Sequence, residues 1–194
     1  TVWTDLVGEN NGTLDNGPTF SSANGGNIVF DGSDDEIVCG DGDFIEGLTE
    51  ITATIWAIVE NSGNSYPKLI SKEHGQSFDF GVTRDGANGN LWLYLEGNLL
   101  QLVGSITFGE WFYAVARYKS GETNGKQLWL NGNKIAEETQ TATIDTDSAG
   151  LTLGNGNSQA RPLTGQIASA SIYNRALSAS EIVQNYNATR GRFA

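Results

Sequence analysis

Residues 111–135 constrain the fold of this chain more than any other stretch. Trp111, Phe112, Tyr113, Ala114, Val115 and Ala116 lead to Arg117 and Tyr118, a run with β-branched and aromatic residues on both faces, as the middle of a two-layer β structure requires. A polar, glycine-containing break follows, and then Leu128, Trp129 and Leu130 run into Asn131 and Gly132. Successive side chains on a strand point to opposite sides, so Leu128 and Leu130 share a face and Trp129 takes the other. Asn-Gly supplies the positive φ angles of a two-residue hairpin turn. Two strands and a tight reversal are thus written into one segment.

The remaining sequence repeats that grammar. Residues 50–60 alternate with Ile51, Ala53, Ile55, Ala57 and Val59 on one face, a length and pattern that predict a mid-sheet strand. Further strands are expected at 27–30, 36–39, 68–71, 77–83, 90–95, 99–103, 150–154 and 165–173. The last is expected to place Ile167, Ser169 and Ser171 on one face and Ala168, Ala170 and Ile172 on the other. Residues 1–26 are turn-rich and predict one or two short edge strands. With 25 glycines against three prolines, short loops join antiparallel neighbours, which favours a meander or jelly roll over a parallel sheet with crossover helices. One helix is expected, opening at Ser178. Ser178 and Glu181 have the spacing of a capping box, and Ile182, Val183 and Tyr186 form its apolar stripe. The basic tail that follows is either loose or clamps a neighbour.

The expectation is one all-β domain over residues 1–194, a length that buries one sizeable core. A net charge of −12 repels nucleic-acid backbones and anionic membranes, leaving cations as the natural counter-charge. Cys39 is the single cysteine, so it is expected to be a small buried hydrophobe. His74 is the single histidine and reads as a turn residue rather than a ligand. No run is long and apolar enough to span a bilayer as a helix. The sequence contains no Met, which predicts a processed product or part of a longer parent.

Several of these pieces, in this order, resemble a known family. They are the Asn27 to Asp35 strand and turn, Gly109 to Tyr118, Leu128 to Gly132, and Gly165-Gln-Ile167 followed by Tyr173, Asn174, Arg175, Ala176, Leu177 and Ser178. Together they are similar to a laminin G-like, concanavalin A-like jelly roll. The opening around Trp3 and the ending through Phe193 look most like versions found in bacteriophage virion proteins and bacterial surface proteins. The resemblance implies two antiparallel sheets, binding at a concave face or rim loops, and often a structural calcium. It also implies that the opening segment lies near the closing strand, which nominates Asp5 with Asp31 as a metal pair. Many relatives carry an Asp directly after Gly-x-Ile; here Ala168 and Ser169 follow Gly165-Gln-Ile167, a departure from that ion site.

Carboxylates and aromatics carry the candidate chemistry. A glycosidase needs two carboxylates flanking the scissile bond, and the Glu-x-Asp-x-x-Glu strand of glucanases is absent, with Asp79 isolated between Phe78 and Phe80. The chain is therefore expected not to be an enzyme. Three acidic groups, Asp31 with Asp34 and Asp35, Asp41 with Asp43, and Asp145 with Asp147, offer the oxygen ligands that calcium takes, though each taken singly reads first as solvated turn chemistry. Sugar binding uses aromatic faces beside polar groups, which nominates Trp92, Tyr94, Trp129 and the loop residue Tyr66, with Trp92 and Tyr94 opposite the core-facing Leu91, Leu93 and Leu95. Trp56 and Trp111 are assigned to the core. The expected function is a non-catalytic, lectin-like structural module of a virion or cell-surface protein, with glycans or sister subunits as partners, a homo-oligomer being one arrangement. A pure assembly domain and a glycoside hydrolase or lyase are the alternatives.

Overall fold

The computed structural model describes residues 1–72, 77–146, 149–156 and 160–193. His74 and Asp147 lie outside the described residues. In chain order the strands are β1 Val2–Trp3, β2 Gly12–Asp15, β3 Thr19–Ser21, β4 Asn27–Asp31, β5 Glu36–Val38, β6 Glu50–Val59, β7 Lys68–Ser71, β8 Phe78–Asp85, β9 Asn88–Leu95, β10 Asn98–Thr107, β11 Phe112–Lys119, β12 Lys126–Leu130, β13 Asn133–Glu138, β14 Thr152–Leu153 and β15 Thr164–Tyr173. Helix α1 spans Ala179–Thr189. Among the described residues no helix is long and apolar enough to cross a membrane.

Alternation sorts these strands into two antiparallel sheets, ordered β1-β2-β5-β14-β7-β8-β9-β10 and β13-β12-β11-β6-β15-β4-β3. The expected all-β, two-sheet antiparallel jelly-roll sandwich with one short C-terminal helix is the observed architecture. Phe78, Phe80 and Val82 of β8 and Leu91, Leu93 and Leu95 of β9 meet Ile51, Ala53, Ile55 and Ala57 of β6 in one core. The Asn131 and Gly132 turn forms as expected, with φ of 49° and 79°.

β6 is buried on both faces from Ile51 to Val59. Its inner face enters the core, and its outer face, with Trp56, is roofed by α1. Ser178 caps that helix, accepting from the Glu181 N–H, and the Glu181 carboxylate accepts from the Ser178 N–H at 2.8 Å. Ile182 is fully buried against Trp56, Tyr113, Val115, Trp129, Ala168 and Leu177. Val183, one residue on and therefore turned about 100° around the helix axis, is exposed and falls outside the expected stripe. The basic tail clamps the chain's own start: Arg192 donates to Asn24 O at 2.9 Å, and Phe193 stacks on Trp56 with centroids 4.2 Å apart.

The alternation expected for β15 breaks at one point. The ladder to β6 shifts between Ile167 and Ser169, a bulge at Ala168. After it, Ala170 pairs with Ile55 and Ile172 with Ala53, so these two pack on the core as Ile167 does, and Ser169 and Ser171 turn outward. One inserted residue exchanges the faces of everything downstream.

Candidate functional site

With α1 occupying the outer face of the seven-stranded sheet, the outer face of β7 to β10 is the surface to which the sequence directs binding. Because Phe78, Phe80 and Val82 point inward, Asp79, Gly81 and Thr83 point outward; in β9 the outward residues are Asn90, Trp92 and Tyr94. Registry then aligns Asp79 with Tyr94 and Leu99, and Gly81 with Lys68, Trp92 and Gln101.

The middle of this face holds a charged network. Lys68 Nζ donates to Asp79 Oδ2 at 2.7 Å and to Ser71 Oγ at 3.2 Å, and the Ser71 hydroxyl donates to Asp79 Oδ1 at 2.5 Å. Lys68 and Ser71 are fully buried and Asp79 is 1% exposed. Burial pushes the Lys68 pKa down, and the Asp79 carboxylate pulls the other way. A buried ammonium needs such a partner, and Asp79, isolated in the sequence, is that partner.

Trp92 lies over Gly81. A Cβ there would stand 2.6 Å from its ring carbon Cζ2 and 2.7 Å from Pro67 O, so the missing side chain is what lets the indole lie down on the sheet. Trp92 is consequently 5% exposed rather than an open platform, and its indole N–H is buried without a hydrogen-bond partner. Tyr94, Gln101 and Thr83 around it are half-buried, with Gln101 Nε2 3.5 Å from Thr83 Oγ1. Tyr66 is exposed in its loop, and the Arg161 guanidinium sits 4.9 Å above its ring.

Trp129 belongs elsewhere. It is 7% exposed on the other sheet, in the cluster under α1, and donates to Gln127 Oε1 at 3.0 Å. It offers no open face, because the capped helix that the sequence predicts lands on its strand's outer side. Trp56 is buried as expected, in this outer cluster rather than between the sheets, whereas Trp111 is only half-buried. Cys39 is half-buried, and burial raises its thiol to about 11.

The acidic rim lies at the β4–β5 turn. Carboxylate oxygens of Asp31, Asp34 and Asp35 fall within 4.8 Å of one another. Asp35 Oδ2 accepts from the Asp31 N–H at 2.8 Å, and Asp31 Oδ1 from the Ser33 N–H at 2.7 Å. Burial raises the Asp35 pKa; the hydrogen bond from the Asp31 N–H opposes this, and the charges of Asp31 and Asp34 add to it. Asp5 is not a member of this three-carboxylate group; its carboxylate accepts from the Val7 and Asn10 N–H groups of its own loop. Beside the rim, Glu36 faces Asp15 across β5 and β2, and burial, reinforced by Asp15 and Asp34, raises the Glu36 pKa. Asp41 accepts from the Asp43 N–H at 3.4 Å within one turn.

Sequence reasoning did not find Lys68 or Glu36 as site residues. The available signal was a lysine inside an otherwise buried strand, residues 68–71, facing a strand with a lone carboxylate.

Comparison with known proteins agrees with the architecture. Domain 4 of AbnA, an extracellular GH43 arabinanase from Geobacillus stearothermophilus solved with arabinotriose, superposes with a TM-score of 0.66 at 18% identity over 89% of this chain and 86% of that one. The binding domain of Paraclostridial Mosquitocidal Protein 1 gives 0.69 at 16% identity, covering 96% of this chain and 51% of that one. The botulinum neurotoxin type G receptor-binding domain gives 0.65 at 14%, covering 92% and 47%. The chain therefore spans about half the length of those toxin domains, and at such identities the likeness is one of fold. Among curated proteins none matches the chain in sequence. Residues 31–183, most of the chain, match the family described as the Concanavalin A-like lectin/glucanases superfamily, and the chain belongs to that family.

Proposed function

We propose that this domain is a non-catalytic carbohydrate-binding module, carried at an extracellular, cell or virion surface. One observation carries the reading: the outer face of β8 to β10 sets half-buried Tyr94, Gln101 and Thr83 around an indole N–H with no partner, while Asp79 beside them is held in an ion pair. Aromatic surface with a few fixed polar groups is what sugar recognition requires, and a carboxylate held by a buried lysine is poorly placed to shuttle protons. The arabinotriose complex of the similar arabinanase domain supports the ligand class.

Calcium belongs to the proposal as a structural ion. Asp31, Asp34 and Asp35 supply the hard oxygen donors it takes, and a cation would offset both the burial of Asp35, which chiefly raises its pKa, and the like charge of its neighbours. Bound there, it would fix the β4–β5 turn at the rim of the sandwich.

A second reading, glycoside hydrolysis, rests on Glu36 and Asp15, a facing carboxylate pair with one member raised, as a general acid needs. Calorimetric titration with neutral oligosaccharides, arabinotriose first, tests the main reading. Binding that Tyr94→Ala and Gln101→Ala each weaken at least fivefold, without release of reducing ends, is expected. Binding indifferent to both variants overturns it, and reducing ends lost in Glu36→Gln establish the hydrolase.

A further inference from the structure

A second concavity lies on the opposite side of the molecule, where the C-terminal segment crosses the outer face of the seven-stranded sheet. It is a cleft of about 320 Å³ lined by Trp56, Trp111, Asn131, Tyr186, Arg190 and Phe193, with Gly191 at its edge. Trp56 comes from β6, Trp111 stands just before β11, Asn131 is the β12–β13 turn, and the others come from α1 and the tail. Three ring contacts fix the walls: Trp56 on Phe193 at 4.2 Å, Trp111 on Phe193 at 4.7 Å and Trp56 on Tyr186 at 5.9 Å.

Beside the Tyr186 hydroxyl, which can donate or accept, the free polar groups of this cleft are donors. Trp56 Nε1 is already used, donating to Thr189 Oγ1 at 2.8 Å. Asn131 Oδ1 is also used, accepting from the Tyr113 N–H at 2.9 Å, which leaves the amide NH₂ as the free half of that side chain. Trp111 Nε1 has no partner among the described residues. The Arg190 guanidinium lies 5.7 Å from the Tyr186 ring and makes no ion pair among the described residues. Glu110 does not line this cleft but an adjoining one of about 60 Å³, which shares Trp111 and Asn131 with it. Aromatic walls with Arg190, Asn131 and Trp111 thus offer a flat apolar surface edged by donors, one of them a full positive charge.

The geometry points to a binding site for a single acidic sugar residue, a uronic acid, whose C–H face lies on Trp111 and whose carboxylate is taken by Arg190. This rests on the carbohydrate-binding reading and extends it to a second face and a charged ligand class. Pockets for small molecules begin at about 300 Å³, so this one takes one ring rather than a length of chain. The guanidinium fork matches a carboxylate, and in a protein of net charge −12 an anion needs such a local cation to approach at all.

The test is NMR titration of the intact chain with methyl β-glucuronide, methyl β-glucoside and benzoate. Wild-type protein is expected to bind the glucuronide at least fivefold more tightly than either other probe, with shifts in the indole resonances of Trp111 and Trp56. Arg190→Gln, at an exposed side chain, is expected to remove that preference. Arg190→Lys is expected to retain part of it, and Tyr94→Ala, on the opposite face, all of it. Equal binding of glucuronide and glucoside, benzoate binding as tight as glucuronide, an unaltered Arg190→Gln variant, or no binding overturns the assignment. Neutral oligosaccharide binding that depends on Tyr94 while the glucuronide is ignored overturns this site alone; the converse result removes the eight-stranded face and leaves this one.

Discussion

Lys68 and Asp79 face each other across β7 and β8 with Nζ and Oδ2 2.7 Å apart, and neither side chain is more than 1% exposed. Removing one partner of a buried pair strands the other charge. Asp79→Ala is expected to lower unfolding free energy by about 3–5 kcal/mol, whereas exchanging both residues for apolar ones, Lys68→Met with Asp79→Leu, recovers most of it. Urea denaturation of wild type and the two variants checks this. A double variant no more stable than Asp79→Ala would show that the loss comes from packing rather than charge.

Gly81 is needed under Trp92 for want of space, not for backbone freedom, since its added Cβ would collide with both the indole and Pro67 O. Gly81→Ala is expected to destabilise the domain by about 1–3 kcal/mol and to shift Trp92 fluorescence to longer wavelength as the ring lifts off the sheet. An unchanged emission maximum would contradict this account of how Trp92 is held.

Glu181 is held at about 2 by the Arg175 side chain first, then by the backbone and hydroxyl of the cap residue Ser178. A folded-state pKa below the ordinary 4.5 means that Glu181 contributes stability above pH 4.5, and that this contribution disappears as pH falls from 4.5 to about 2. The Tm difference between wild type and Glu181→Gln should therefore shrink over that interval. Removing the cap hydroxyl, Ser178→Ala, is expected to cost about 1 kcal/mol.

Asp35 and Glu36 carry the opposite sign. Burial raises both above their ordinary values of 3.8 and 4.5, so their contribution is present below those values and is lost as pH rises through the higher folded-state ones. A cation at Asp31, Asp34 and Asp35 reverses this for Asp35 by favouring its charged form. The Tm increase produced by millimolar calcium should accordingly grow as pH is raised from 4 toward 7 and be absent in Asp35→Asn. Identical melting in calcium and in chelator across that range would remove the ion from the proposal.

What the sequence made legible was local. The Asn131 and Gly132 turn, the β6 alternation and the Ser178 and Glu181 cap each depend on residues within a few positions of one another, and the ordered motifs from Asn27 to Ser178 were enough for the family. The candidate site was legible only in part: Trp92 and Tyr94 do share an outward face, but their difference in exposure was not written in β9. It follows from Gly81 on the neighbouring strand and Pro67 just before β7, which let one ring lie flat and leave the other partly open.

The chain by itself determined which segments become strands, where they reverse and how the helix begins, because backbone geometry, side-chain alternation and capping act over short separations. Tertiary structure alone decided that Asp79 answers Lys68, that Ala168 bulges and exchanges the faces of β15, that α1 buries Trp129, and that Phe193 meets Trp56 to wall a cleft. Those outcomes depend on which strands become neighbours and what crosses over them. Pairing across a sheet joins residues whose separation along the chain carries no trace of their contact.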